Sequence, residues 1–152
     1  MKEINFSGRP RPGTVCKIMG WGYTKWRWVD EKYEDRNFGL DDEDFEDTNY
    51  LKWGAVRIGN DNECQPDFNE DSHIYVVPYN QNPEIINDSA FPLAGDIGGP
   101  LVCKSSNRGL DMVFGTMIES LTAKCAVYTK LSYFEDWINE EMEWKKYSNM
   151  QR

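Results

Sequence analysis

The hydrophobic period changes once along this chain, and that change restricts most what it can fold into. Before residue 132 the apolar residues fall in short runs between turn residues: Thr14 to Trp21, Leu51 to Ile58, His73 to Val77, Pro100 to Lys104, Met112 to Ile118 and Ala126 to Leu131. Leu51 to Ile58, with apolar residues at 51, 53, 55, 56 and 58, is typical. Runs this short and β-rich read as strands rather than helices. From Ser132 onward the period lengthens. Ser132 with Glu135 three residues later forms a capping-box pattern, and Phe134, Trp137, Ile138, Met142 and Trp144 mark one helical face. The expectation is an all-β fold, an antiparallel barrel or sandwich of about six strands closed by a C-terminal helix over about 132–146.

At 152 residues the chain suits one domain spanning 1–152 and is too short for two ordinary ones. Six Trp, eight Tyr and seven Phe supply core material, and no repeat or low-complexity tract interrupts them. The net charge of -9 argues against nucleic-acid binding, which needs basic residues to neutralise phosphates. The charge is concentrated: between Asp30 and Thr48 ten acids face only Lys32 and Arg36. Such a segment repels itself and reads as a solvated loop, with a basic partner as its functional alternative. Asp41-Asp42-Glu43-Asp44 lacks the alternating acids and central glycine of a calcium loop. No metal or cofactor site follows from the sequence.

The amino end, Met1-Lys2-Glu3-Ile4-Asn5 followed by a Pro/Gly-rich turn region, carries no apolar leader. No run of about 20 apolar residues suggests a membrane span. Two sequons, Asn5-Phe6-Ser7 and Asn87-Asp88-Ser89, are compatible with secretion but also arise by chance. Four cysteines allow three connectivities, so the residues alone leave the redox compartment open.

Four separated motifs carry a family resemblance. Gly95-Asp96-Ile97-Gly98-Gly99-Pro100, followed by Leu101-Val102-Cys103, resembles the Gly-Asp-Ser-Gly-Gly-Pro signature of trypsin- and chymotrypsin-like serine endopeptidases (peptidase S1). Gly13 to Gly22, with Cys16 and Gly20-Trp21-Gly22, is similar to the strand that opens the family's second barrel. Leu51 to Cys64 has the family's spacing from the next strand to its intermediate-helix cysteine, and Val127 to Ile138 resembles its last strand and terminal helix. The resemblance implies a six-stranded Greek-key barrel with a C-terminal helix, and covers only the second half of the family's domain.

The same resemblance implies lost chemistry. Isoleucine stands at the nucleophile position, and an alkyl group has neither a lone pair to attack a carbonyl nor a proton for a base to take. In the family the catalytic histidine, the aspartate and the activating amino terminus come from the first barrel, whose segments are not found here. The single histidine, His73 in Ser72-His73-Ile74-Tyr75, does not resemble the family's catalytic motif and reads as an ordinary strand residue. Gly95 and Ile97 retain backbone N–H groups as a remnant oxyanion hole. Asp96 matches the carboxylate that pairs with the freed amino terminus. Without that cation it is expected to turn to solvent, bond to backbone N–H groups or find a local base, leaving the oxyanion hole collapsed as in a zymogen.

Alignment with the family also implies a rewritten substrate pocket. Phe91 falls where an acid selects Lys or Arg, Ala94 stands near the signature, Ile118-Glu119-Ser120 replaces the usual wall, and Ala126 replaces a wall glycine. Bulk at the floor excludes tryptic specificity, and simple packing is the blander reading of these residues. Cys16 and Cys103 match a bridged family pair. Cys64 has lost its partner, Leu93 and Ala94 stand where another cysteine would be, and Cys125 is displaced, so a Cys64–Cys125 bridge and two free thiols both stay open.

Tyr23 to Tyr50 is roughly twice the length of the family's corresponding loop, and it mixes the acids with Trp26, Trp28, Tyr33, Phe38 and Phe45. A lone second barrel would also expose the face that meets the first, which predicts self-association, docking on another protein, or marginal folding. The expected function is therefore a non-catalytic serine protease homologue, extracellular by resemblance, acting through protein binding or regulation in a proteolytic pathway. The alternative is the C-terminal half of a serine-type endopeptidase. No nucleic acid or membrane partner is expected.

Overall fold

The computed structural model describes residues 8–22, 50–60, 63–64, 71–79, 91–92, 95–105, 109–122 and 124–150, with backbone alone at 122 and 144–150. Six strands run in chain order: β1 (Val15–Gly20), β2 (Lys52–Ile58), β3 (His73–Pro78), β4 (Pro100–Lys104), β5 (Asp111–Thr122) and β6 (Cys125–Lys130). They close a barrel in the order β1-β2-β3-β6-β5-β4, and every pairing is antiparallel. A 3-10 turn at Leu131–Phe134 leads into α1 (Glu135–Met150).

Period-two alternation places the core. In β1 Cys16 and Ile18 point inward between exposed Val15 and Lys17, and Val56 and Ile58, Ile74 and Val76, Leu101 and Cys103 repeat the pattern on their strands. With Phe114, Met117, Ala126 and Tyr128 they form one inner cluster. Each large aliphatic side chain buried this way contributes roughly 2 kcal/mol of transfer free energy. A second cluster lies on the opposite face of β3 and β6, where Tyr75, Val77 and Val127 pack with Cys64 and Cys125.

Two expectations need correction. The C-terminal helix was expected from Ser132 to about 146, with Ser132 as its cap. The helical turn instead opens at Leu131, Ser132 lies inside it, the residue before it is Lys130 with no side-chain cap bond, and α1 continues to Met150. The cause is local: β6 stays extended through Lys130, so the chain turns one residue too early for Ser132 to stand outside the helix. Nor does the helix close the barrel. β6 is hydrogen-bonded to β3 on one side and β5 on the other, so strands complete the closure, and α1 follows directly from the 3-10 turn.

β5 also outruns its expected end at Ile118 and reaches Thr122. Register shifts against β6 occur between Met117 and Glu119 and between Ser120 and Thr122, and such bulges break the alternation on which a sequence reading depends. The acidic cluster at 30–48, most of the loop at 23–50, and Leu93 and Ala94 lie outside the described residues.

Candidate functional site

The signature turn hangs between two anchors. On one side the Gly98 N–H donates to the Met117 carbonyl at 2.9 Å and the Met117 N–H donates to the Gly99 carbonyl at 2.9 Å, which fixes the turn to β5. On the other, the Asp96 carboxylate accepts a 2.9 Å hydrogen bond from the Gly22 N–H, just past β1. The Gly99 N–H closes the loop on the Asp96 carbonyl at 2.8 Å. Gly95 and Gly98 both have positive φ, 94° and 84°, a region that L side chains rarely occupy. Ile97 sits at the apex with 68% of its surface exposed. The fold thus presents an alkyl side chain outward at the apex of the turn. Neither the Gly95 nor the Ile97 amide has a backbone acceptor among the described residues.

Asp96 takes one of the three courses expected of it, a bond to a backbone N–H. Its carboxylate occupies the space that side chains at Gly20 and Gly22 would need: a Cβ on Gly20 would overlap Oδ1, and one on Gly22 would stand 2.6 Å from Cγ. The two glycines of Gly20-Trp21-Gly22 are therefore the seat of Asp96. That relation was not foreseen from sequence, although the paired glycines were its signal.

Beneath this seat lies Tyr128, 1% exposed in the inner cluster. Burial, and then the negative charge of Asp96, push its phenol well above the ordinary range. The raised folded value gives the sign of a pH effect. The associated stability is fully present below about pH 10, the ordinary phenol value, and is lost as pH rises through the folded value. Tyr128→Phe is expected to flatten the alkaline fall in unfolding free energy measured by urea titration at a series of pH values. An unchanged alkaline slope would contradict this assignment.

The described pocket candidates fall on several parts of the barrel. Phe91 is half-buried against the inner cluster, and Ala126 is fully buried within it. Ile118 packs with Leu121 on the outer cluster around Cys64 and Cys125. Glu119 is exposed, and the Ser120 hydroxyl donates to the Pro92 carbonyl, tying β5 to the segment that carries Phe91. Ala94 lies outside the described residues. His73 is half-buried on β3 opposite Thr129, with its Nδ1 3.0 Å from the Ser72 hydroxyl.

All four cysteines are paired. Cys16 and Cys103 face each other across β1 and β4, and Cys64 bonds Cys125, which settles the alternatives left open by the sequence. Beside the second bridge, Arg57 forms a two-pronged ion pair with Glu63, whose Oε2 also accepts the Asn60 N–H at 3.0 Å. The hydrogen bond to Glu63 is the main reason the Arg57 guanidinium is held more basic than usual. No group of three or more metal-ligating side chains is found among the described residues.

A closed six-stranded barrel with this turn is the second-barrel architecture that the signature implied. Comparison with known proteins agrees: most of the chain is similar in sequence to serine proteases. It is 28% identical over 141 residues to granzyme E of Mus musculus, covering 90% of this chain and 46% of that protein. Snake venom serine protease 1 of Craspedocephalus gramineus is 26% identical over 137 residues, covering 87% of this chain and 43% of that protein. Kallikrein-11 of Homo sapiens is 45% identical over a shorter stretch of 49 residues, 32% of this chain and 17% of that protein. The chain thus spans less than half the length of the relatives that it matches broadly. No protein-family model matches it.

Proposed function

We propose that this chain is a non-catalytic relative of the serine endopeptidases and acts by binding protein. The observation that carries the reading is Ile97. Its turn keeps the family's glycines and its anchoring to β5, yet the residue at the apex cannot attack a carbonyl. Oxyanion donors without a nucleophile stabilise no tetrahedral intermediate, because none forms. A secreted setting fits the two disulfides and the venom proteases among the relatives, and no described helix is long and apolar enough to cross a membrane.

A fluorophosphonate probe tests the reading directly. The chain is expected to remain unlabelled under conditions that label an active serine protease, and labelling would overturn it. Ile97→Ser is expected to stay inactive on peptide esters, since a hydroxyl without a base to take its proton is a poor nucleophile. An acyl-enzyme burst from that variant would show that a base is within reach after all.

A second reading, the C-terminal half of a two-barrel protein, is favoured by the 46% and 43% coverage of the broadly matching relatives. It changes what would cover the barrel. It does not restore a nucleophile at residue 97.

A further inference from the structure

The two disulfides lie on opposite sides of the barrel wall. Cys16 and Cys103 belong to the inner cluster, whereas Cys64 and Cys125 pack with Tyr75, Val77 and Val127 on the outer face of β3 and β6. Strand register sets the first bond, since its two residues are direct partners on β1 and β4. It does not set the second: Cys125 opens β6, but Cys64 lies past the end of β2 and off the sheet. Both sulfurs are nevertheless buried, with Cys64 3% and Cys125 2% exposed, so the turn that carries Cys64 has to be brought down onto that face.

Arg57 stands at the place from which this can be done. Its register partner on β3 is Val77, and residues directly opposite across an antiparallel pair project to the same side. From there the guanidinium grips Glu63, the residue before Cys64: Nη1 donates to Oε2 at 3.0 Å and Nη2 donates to Oε1. The same Oε2 accepts the Asn60 N–H at 3.0 Å, and the Glu63 N–H donates back to the Asn60 carbonyl at 3.0 Å, so the turn is closed by side chain and backbone together. The Gly59 N–H donates to the Tyr75 carbonyl at 2.9 Å and joins the start of the turn to β3. The approach is close: a Cβ on Gly59 would lie 3.1 Å from Val77 Cγ1 and 3.8 Å from Glu63 Oε2. The Arg57 and Glu63 side chains are only 19% and 24% exposed, and a two-pronged, charge-assisted pair with that shielding has fixed geometry as well as strength.

We propose that the Arg57–Glu63 fork is a positioning device for the second disulfide: it folds the Asn60–Cys64 turn onto the outer face of β3 and β6 and holds the Cys64 thiol against Cys125 before the bond forms. With oxidised glutathione as the oxidant, one cysteine thiolate attacks a glutathione sulfur and expels the first glutathione thiolate. The other cysteine, as thiolate, then attacks the protein sulfur of the mixed disulfide and expels the second. Two protein thiols are thereby oxidised, and one glutathione disulfide is reduced to two thiols. The fork acts on the second step, because a Cys64 confined beside Cys125 has a high effective concentration there and no long loop left to close. Linkage makes the effect mutual: whatever the fork adds to the closed bridge, the closed bridge adds to the fork.

Equilibration of the full chain in glutathione buffers of graded oxidation, followed by alkylation of free thiols and peptide mass mapping, reads each bridge separately. Glu63→Gln is expected to lower the equilibrium constant for closing Cys64–Cys125 by about tenfold, the order expected for loss of a charge-assisted hydrogen bond, and to leave that of Cys16–Cys103 unchanged. Arg57→Lys keeps the charge without the two-pronged geometry and is expected to fall between Glu63→Gln and the wild type. Cys16–Cys103 is the internal reference, since a general loss of stability would weaken both bridges alike. An unchanged constant for Cys64–Cys125, or an equal fall at the two bridges, overturns the proposal. If Glu63→Gln does not fold, Arg57→Lys gives the same comparison with the same overturning results.

Discussion

Replacing Cys16 and Cys103 together by alanine is expected to lower the unfolding free energy by about 4 to 5 kcal/mol, the closure entropy of a crosslink over so long a loop. The two residues are 87 apart in sequence. They are direct partners across β1 and β4, both 1% exposed in the inner cluster. Without the bond the β1–β4 seam depends on the three partner pairs of its register alone, from Cys16↔Cys103 to Ile18↔Leu101. Total stabilities of natural domains are commonly about 5 to 15 kcal/mol, so the variant should lie near the edge of folding. Urea denaturation in parallel with the wild-type chain measures the difference. A loss below about 1 kcal/mol would mean that the unfolded chain is already compact around this pair.

Gly99→Ala is expected to be the most damaging single substitution in the signature turn. A Cβ at Gly99 would stand 2.7 Å from the Asp96 carbonyl oxygen and 2.8 Å from that of Met19, and both are backbone atoms that cannot swing aside. Relief requires moving either the turn or β1. Overpacking of this kind costs about 1 to 3 kcal/mol or more, and here the displaced turn would also lose its bonds to Met117. The thermal midpoint should fall by roughly 2 to 4 °C for each kcal/mol lost in a chain of this size. Gly98→Ala is the contrasting control: nothing lies within 4 Å of its Cβ, and only the positive φ opposes the change. If the two variants melt alike, backbone crowding at Gly99 is not what sets the turn.

Strands β1, β2 and β4 were legible because they alternate inside and outside over about five residues, as Val15 to Met19 does. What escaped the sequence depends on distance through space. The seat of Asp96 joins it to Gly22, 74 residues away, and no local pattern encodes that approach. Ser132 carried a sound local signal for a helix start, but β6 retains ladder bonding through Lys130 and overrides it. The bridge from Cys64 to Cys125 could not be derived from spacing, since three pairings of four thiols are equally consistent with sequence. Ile97 needs no structure to be read: its place in the signature turn and its alkyl chemistry are both properties of the sequence.

The order of strands around the barrel also has a consequence in time. β6, at residues 125 to 130, is the last of the described strands in sequence, yet it lies between β3 and β5. Until it emerges during synthesis, two ladders remain open along the edges of β3 and β5, whose apolar residues invite pairing with other chains. The stage before β6 is inserted is therefore the one at which the sheet is most exposed to aggregation. A chain lacking Cys125–Lys130 would leave that sheet open along both edges.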